Sequence, residues 1–202
     1  FGGIPTRSGK TLNYGLMYRG TNMDSATSEE KAILLSELGI KLDQDLRGSS
    51  SSPIGVTISG NSYDYRSIAS SDGSSMKKTV SDVLESVIKG DPVYIHCQIG
   101  SDRTGHMCML YQALLGCELK ECDIDYEITS FANGVSGCGV REIGSGNEST
   151  FRSKFINKAI NGHTYTANQV PEAVEDYVVN TLGISLDTVK AFRKAMGVSE
   201  TV

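Results

Sequence analysis

Pro92-Val93-Tyr94-Ile95-His96-Cys97-Gln98-Ile99-Gly100-Ser101-Asp102-Arg103-Thr104-Gly105 runs from an apolar segment, through a polar loop with a central glycine, into a second apolar segment. The first segment, residues 93–97, follows the breaker Gly90-Asp91-Pro92 and has the length of a buried strand. The second, residues 104–115, is long enough for a helix. Between them stand Cys97 and, six positions later, Arg103. A strand turning through a short glycine loop into a helix is the repeating step of an α/β sheet.

The flanking sequence continues that pattern. Val80, Val83, Leu84, Val87 and Ile88 form one face at helical spacing, stopped by Gly90. Thr27-Ser28-Glu29-Glu30 is a capping box ahead of Ile33, Leu34 and Leu38, with Gly39 as the stop. Residues 16–19, 40–46 and 63–68 each follow turn residues and predict strands. Downstream, helices are predicted over 120–131, 150–160, 172–182 and 186–196, with Pro171 in a favoured first turn and Ser185 as an N-cap. The expected fold class is α/β: a central, mostly parallel sheet flanked by helices, with a helical C-terminal annex. One domain covers 1–202, divided into a sheet core with its loop (1–118) and the annex (119–202). The Ser/Gly-rich stretches 48–62 and 70–75 read as mobile loops beside the sheet.

Composition excludes several classes. The chain has 202 residues, 39% of them hydrophobic, which argues against disorder. Its 19 basic and 24 acidic residues give a net charge of −5, without the basic excess that nucleic acid requires. No apolar run reaches the length of about 20 residues needed for a membrane span. Cys97, Cys108, Cys117, Cys122 and Cys138 cannot all pair within one chain. If one is a working thiol, the other four form two bridges or none. They make no C-x-x-C pair, and His96, His106 and His163 complete no zinc pattern, so neither a metal nor another cofactor is expected.

The loop after Cys97 has the parts of an anion site. Successive backbone N–H groups converge there, reinforced by the positive end of the following helix. Gly100 permits the turn and a close approach of backbone to ligand. Arg103 offers a planar fork matched to two oxygens of a phosphate. At the floor, the same positive potential favours the thiolate of Cys97. A thiolate facing a held phosphate is a nucleophile for phosphoryl transfer.

At these residues the sequence resembles the cysteine-dependent phosphatases of the protein tyrosine phosphatase superfamily. The form H-C-x-x-G-x-D-R-T-G is similar to the bacterial atypical branch of tyrosine/serine, or triple-specificity-like, phosphatases. Weaker matches follow in order: Phe1-Gly2-Gly3-Ile4-Pro5-Thr6 with Gly9-Lys10, then Leu16-Met17-Tyr18-Arg19-Gly20, Leu38-Gly39-Ile40 and Asp45-Leu46-Arg47. Asp125-Tyr126, and Tyr177 with Leu182-Gly183-Ile184, match the helical tail. The resemblance implies a metal-independent phosphomonoester hydrolase in which Cys97 becomes phosphorylated. The amides of Gln98, Ile99, Gly100, Ser101, Asp102 and Arg103, with the Arg103 side chain, would bind the phosphate. Thr104 would hydrogen-bond the Cys97 sulfur, and His96 would orient the loop rather than act as a base. The implied partner is a phosphorylated protein or a small phosphomonoester; the oligomeric state is left open.

Such chemistry needs a carboxylic acid to protonate the leaving oxygen. Asp102, inside the loop, and Asp72, 25 residues before Cys97, are the two candidates; Asp64 is a rival within a predicted strand. The branch commonly carries lysine where this chain has Ser101, and that absence favours phosphotyrosine or aryl phosphates over inositol phosphates and phosphoinositides. Lys77 and Lys78 would restore some charge from a neighbouring element. Arg19, Arg47 and Arg66 lie near strand ends, where they line the cleft or pair with carboxylates. Cys108 reads as a buried small hydrophobe rather than a resolving thiol, and Met107, Leu110 and Leu114 as core. The competing functions are a catalytically silent phosphate-binding module and a redox-sensing thiol. A start at Phe1 rather than Met, together with the Ser/Gly-rich loops, leans towards an exported bacterial protein, with the cytoplasm as the alternative.

Overall fold

The computed structural model describes residues 1–59, 73–131, 139–144 and 146–202. Four parallel strands form the central sheet: β1 (Met17–Gly20), β2 (Leu42–Asp45), β3 (Thr57–Ile58) and β4 (Val93–His96), in the order β1-β4-β2-β3. The register pairs His96 with Gly20 on one side and with Asp45 on the other. Three strands therefore stop at one level, and the loops that leave them share the carboxyl edge of the sheet. In open α/β sheets that edge is where ligands bind.

Around the sheet lie α1 (Ser28–Ala32), α2 (Gly73–Ile88), α3 (Asp102–Leu114), α4 (Leu119–Glu127), α5 (Gly146–Phe155), α6 (Val170–Asp176) and α7 (Leu186–Ala195). Wider π turns extend α1 through Ile33–Glu37 and α6 through Tyr177–Thr181, and a 3-10 turn, Ile128–Phe131, continues α4. The caps behave as their chemistry requires. Thr27 Oγ1 accepts from Glu30 N at 3.2 Å while Glu30 Oε2 accepts from Thr27 N at 2.7 Å. Ser185 Oγ accepts from Thr188 N, and Pro171 sits in the first turn of α6.

Helix α3 is buried from Thr104 to Leu114. It packs against β1 and β4 on the sheet and against α4, α5 and α6 from the C-terminal part. One apolar cluster runs without a break from Leu12 and Met17 through Ile95 and Leu110 to Phe155, Val174 and Phe192. The helical annex thus buries the far side of the helix that the phosphate-loop candidate opens. Among the described residues, no helix is long and apolar enough to cross a membrane.

Several local expectations need correction. The stretch 48–62, read as loop, contains β3, which pairs with β2 through Leu42↔Thr57 and Asp43↔Ile58. Helix α2 begins at Gly73, inside the stretch 70–75 also read as loop. The helix expected over 150–160 ends at Phe155, and Ala159–Ile160 instead pairs with His163–Thr164 as the hairpin β5–β6. Asn161 and Gly162, both at positive φ (47° and 88°), make the two-residue turn, a type that favours Asn-Gly strongly enough to override the apolar spacing before it. The strand expected over 63–68 lies outside the described residues. Cys97, Cys108, Cys117 and Cys122 are free and buried, and Cys138 lies outside the described residues.

Candidate active site

Strand β4 delivers His96 and Cys97 to the carboxyl edge, and Asp102 opens α3 five residues beyond Cys97. The turn between them depends on glycine. Gly100 has φ of 76°, and a Cβ there would stand 2.3 Å from the carbonyl oxygen of Gly20. Only a residue without a side chain fits both limits.

Three carbonyls of the loop are tethered from outside. Cys97 O accepts from His96 Nδ1 at 3.1 Å, and Gln98 O accepts from Thr21 Oγ1 at 2.9 Å and Asn22 Nδ2 at 2.7 Å. Gly100 O accepts from Arg19 Nη2 at 2.6 Å. A trans peptide points its N–H opposite its C=O, so the N–H groups of Gln98, Ile99 and Ser101 face away from these tethers. Hydrogen bonds from the N–H groups of Ile99, Gly100 and Thr104 reach the Cys97 sulfur.

Cys97 is 2% exposed. Burial works against its ionisation, but the Thr104 hydroxyl and the three N–H groups outweigh that and hold the thiol below its ordinary 9.0. The Thr104 hydroxyl is buried, and its effect on Cys97 is to favour the thiolate. Half-buried Arg103 donates from Nη1 to Leu46 O at 3.1 Å, which fixes its guanidinium at the end of β2 and leaves further donors for a ligand.

Beneath the loop lies a buried charged layer. His96 Nε2 stands 2.8 Å from Asp43 Oδ1, both side chains fully enclosed. With Nδ1 donating to a carbonyl and Nε2 facing a carboxylate, the surroundings favour the doubly protonated ring. Burial alone would expel that charge, but Asp43, the Cys97 carbonyl and Asp45 prevail and raise the imidazole above 6.5. Asp45 is also enclosed. Burial pushes its carboxyl up, yet hydrogen bonds from Arg47 and Ser49 bring it down to about 2. Arg47 spans Asp45 (2.7 Å) and Asp24 (2.5 Å).

Sequence reasoning had Asp45 only as a family pattern, had Arg47 both in that pattern and as a strand-end arginine that lines the cleft or pairs with carboxylates, and missed Asp43. The run Leu42-Asp43-Gln44-Asp45, with acids in a central strand, was the available sign. The same reasoning had Asp125 on α4 only as part of the family pattern, without its hold on Arg19 at 2.5 Å, and it missed Arg141, which holds the Asp102 carboxylate at 3.2 and 3.4 Å.

The remaining candidates divide. Gln98, Ile99, Gly100 and Ser101 form the turn after Cys97, and Asp102, Arg103 and Thr104 continue it as the first turn of α3. Asp72, Asp64 and Arg66 lie outside the described residues. Arg19 and Arg47 are engaged in pairing, each also touching the loop, at Gly100 O and at Gln98 Oε1 (3.5 Å). Lys77 donates to Gly183 O and Lys78 pairs with Asp82 on its own helix, so both are occupied elsewhere. His106 is buried, edge-on to Phe151, and His163 is exposed beside Tyr165. Cys108 is buried, and burial pushes its thiol up to about 12, as befits a core residue. Among the described residues, no group of His, Cys, Asp and Glu is arranged to hold a metal ion.

A search of curated proteins gives no match to the sequence. Among solved structures, the chain is similar to the core catalytic domain of the PP-IP phosphatase SIW14 from S. cerevisiae, at 19% identity and TM-score 0.44, over 66% of this chain and 82% of that one. It is also similar to TpbA from P. aeruginosa, at 17% identity and TM-score 0.41, over 93% and 89% of the two chains. The sequence model of the tyrosine phosphatase family matches residues 1–62 and 60–197, nearly the whole length. The chain belongs to the tyrosine phosphatase family.

Proposed function

We propose that this phosphoric monoester hydrolase removes phosphate from phosphotyrosine in proteins, or from small aryl phosphates, through a phosphocysteine at Cys97. The observation that carries the reading is the sulfur itself: enclosed at the end of β4, its thiolate favoured by the Thr104 hydroxyl and three N–H groups, on the same loop as Arg103. In the first step the Cys97 thiolate attacks phosphorus, a P–S bond forms and the P–O bond to the leaving group breaks. A carboxylic acid gives that oxygen its proton. In the second step the resulting carboxylate takes a proton from water, whose oxygen attacks phosphorus. Inorganic phosphate leaves and the thiolate returns.

The Arg103 side chain and the loop amides from Gln98 to Arg103 hold the equatorial oxygens, where charge develops. Asp102 is the acid in this scheme, being carried by the loop itself. No metal takes part. Because Lys77 and Lys78 are occupied elsewhere, neither supplies the added positive charge that inositol polyphosphates would call for. The unbroken apolar cluster supports one domain, with 1–118 as sheet core and 119–202 as annex.

The test is release of p-nitrophenol from p-nitrophenyl phosphate in EDTA, by wild type and by Cys97→Ser, followed by phosphotyrosine peptide, phosphoserine peptide and inositol phosphates. Turnover that survives EDTA, disappears with Cys97→Ser and is fastest on phosphotyrosine is expected. Absence of turnover under reducing conditions leaves the phosphate-binding module as the function. Fastest turnover on inositol phosphates refutes the substrate assignment alone.

A further inference from the structure

The acid candidate is not left to solvent. Arg141 Nε lies 3.2 Å from Asp102 Oδ1 and Nη2 lies 3.4 Å from Oδ2, so one edge of the guanidinium meets both carboxylate oxygens. The arginine is the more enclosed partner, with 14% of its side chain exposed against 41% for Asp102. Arg141 is itself fixed. Its N–H donates to Ser130 Oγ at 2.7 Å, the Ser130 hydroxyl donates to Arg141 O at 3.4 Å, and Nη1 donates to Gly139 O at 2.9 Å.

Ser130 belongs to the 3-10 turn that continues α4, and α4 also carries Asp125. This one element therefore grips the loop twice. Asp125 acts through Arg19 on Gly100, and Ser130 acts through Arg141 on Asp102.

We propose that Arg141 is a positioning residue for the second chemical step: it fixes the direction of the Asp102 carboxylate while that group takes a proton from the attacking water. The inference rests on the reading of Asp102 as the acid and base of the reaction. A guanidinium pairs with the ionised carboxylate, the form that must activate water once the leaving group has gone. Two contacts leave lone-pair directions free on both oxygens, about two of the four sites that a carboxylate offers. Unheld, a half-exposed aspartate at a helix start samples several rotamers, and misplacement of a reacting group by about 1 Å costs on the order of a hundredfold.

The prediction is asymmetric between the two steps. With a good leaving group such as p-nitrophenolate, attack by Cys97 needs little help from the acid, whereas hydrolysis of phosphocysteine still needs the base. Arg141→Gln is expected to lower kcat by about tenfold or more while kcat/KM changes less than about threefold. Phosphocysteine, trapped by rapid acid quench from labelled substrate, rises in the steady state. Arg141→Lys, which keeps the charge but loses the fork, recovers part of kcat. In an Asp102→Asn background Arg141→Gln adds no further loss.

Equal falls in kcat and kcat/KM, or losses additive with Asp102→Asn, overturn the proposal and reduce Arg141 to a structural contact. If Arg141→Gln melts at a much lower temperature, Arg141→Lys carries the same comparison. Should Asp102→Asn itself leave phosphocysteine hydrolysis unchanged, the reading of Asp102 fails, and the role of Arg141 falls with it by a distinguishable route.

Discussion

Replacing Arg19 with methionine removes the partner of Asp125 and the donor to Gly100 O in one change. The two side chains of the pair are 14% and 16% exposed, and their nitrogen and oxygen stand 2.5 Å apart. Breaking a buried pair by deleting one member costs about 3–5 kcal/mol, because the remaining charge stays enclosed. The abandoned carbonyl of Gly100 adds about 1–3 kcal/mol if no water reaches it. Some exposure remains, so the lower end of the first range applies and water offsets part or all of the second, and a total loss of about 3–4 kcal/mol is expected. That is a large share of the roughly 5–15 kcal/mol by which domains are stable. With a urea slope near 2 kcal/mol per molar, the unfolding midpoint falls by about 1.5–2 M. The double variant Arg19→Met with Asp125→Leu, which removes both charges, recovers about 2 kcal/mol or more of the loss. A single-variant loss under about 1 kcal/mol, the worth of a solvated pair, would refute the argument that this arginine is an enclosed tether.

Two further outcomes follow from the electrostatics of the loop. Thr104→Val deletes the hydroxyl on the Cys97 sulfur without changing shape, so the pH profile of Cys97 alkylation by iodoacetate, centred below 9.0 in the wild type, moves upward; an unmoved profile shows that the backbone alone sets the thiol. Asp43→Asn weakens the imidazolium of His96. A base raised above 6.5 on folding contributes stability that is complete below 6.5 and is lost as pH rises through the raised value, so wild-type urea midpoints should decline across that window more steeply than those of Asp43→Asn, and parallel declines would dismiss the pairing.

The cradle was legible because it is local. A strand, a glycine turn and a helix start occupy fourteen consecutive residues, and each part signals itself by type and spacing. The parallel sheet was legible from alternation, and the caps at Thr27 and Ser185 from single side chains. What escaped was what depends on distant partners. Asp125 meets Arg19 across 106 positions and Arg141 meets Asp102 across 39, and no spacing rule links such residues before the fold exists. Asp43 escaped because an acid in a strand reads as solvated until a histidine is seen to enclose it. The hairpin at Asn161-Gly162 escaped for a different reason: apolar residues before it continued a helical spacing that the turn residues then ended.

The tethers on the three loop carbonyls bear on how this cradle can be moved between proteins. Cut out as Cys97–Arg103 and spliced onto another strand and helix, the heptapeptide would keep its amides but lose Arg19, Thr21, Asn22 and His96, which orient them from β1, its following turn and β4. A transplant that keeps the function must therefore carry β1 through Asn22 and β4 from His96, with Asp43 and Asp125 to satisfy the imported charges. The portable unit is a corner of the sheet drawn from four separate stretches of chain, and homologous swaps confined to the loop should yield proteins that fold yet bind phosphate poorly.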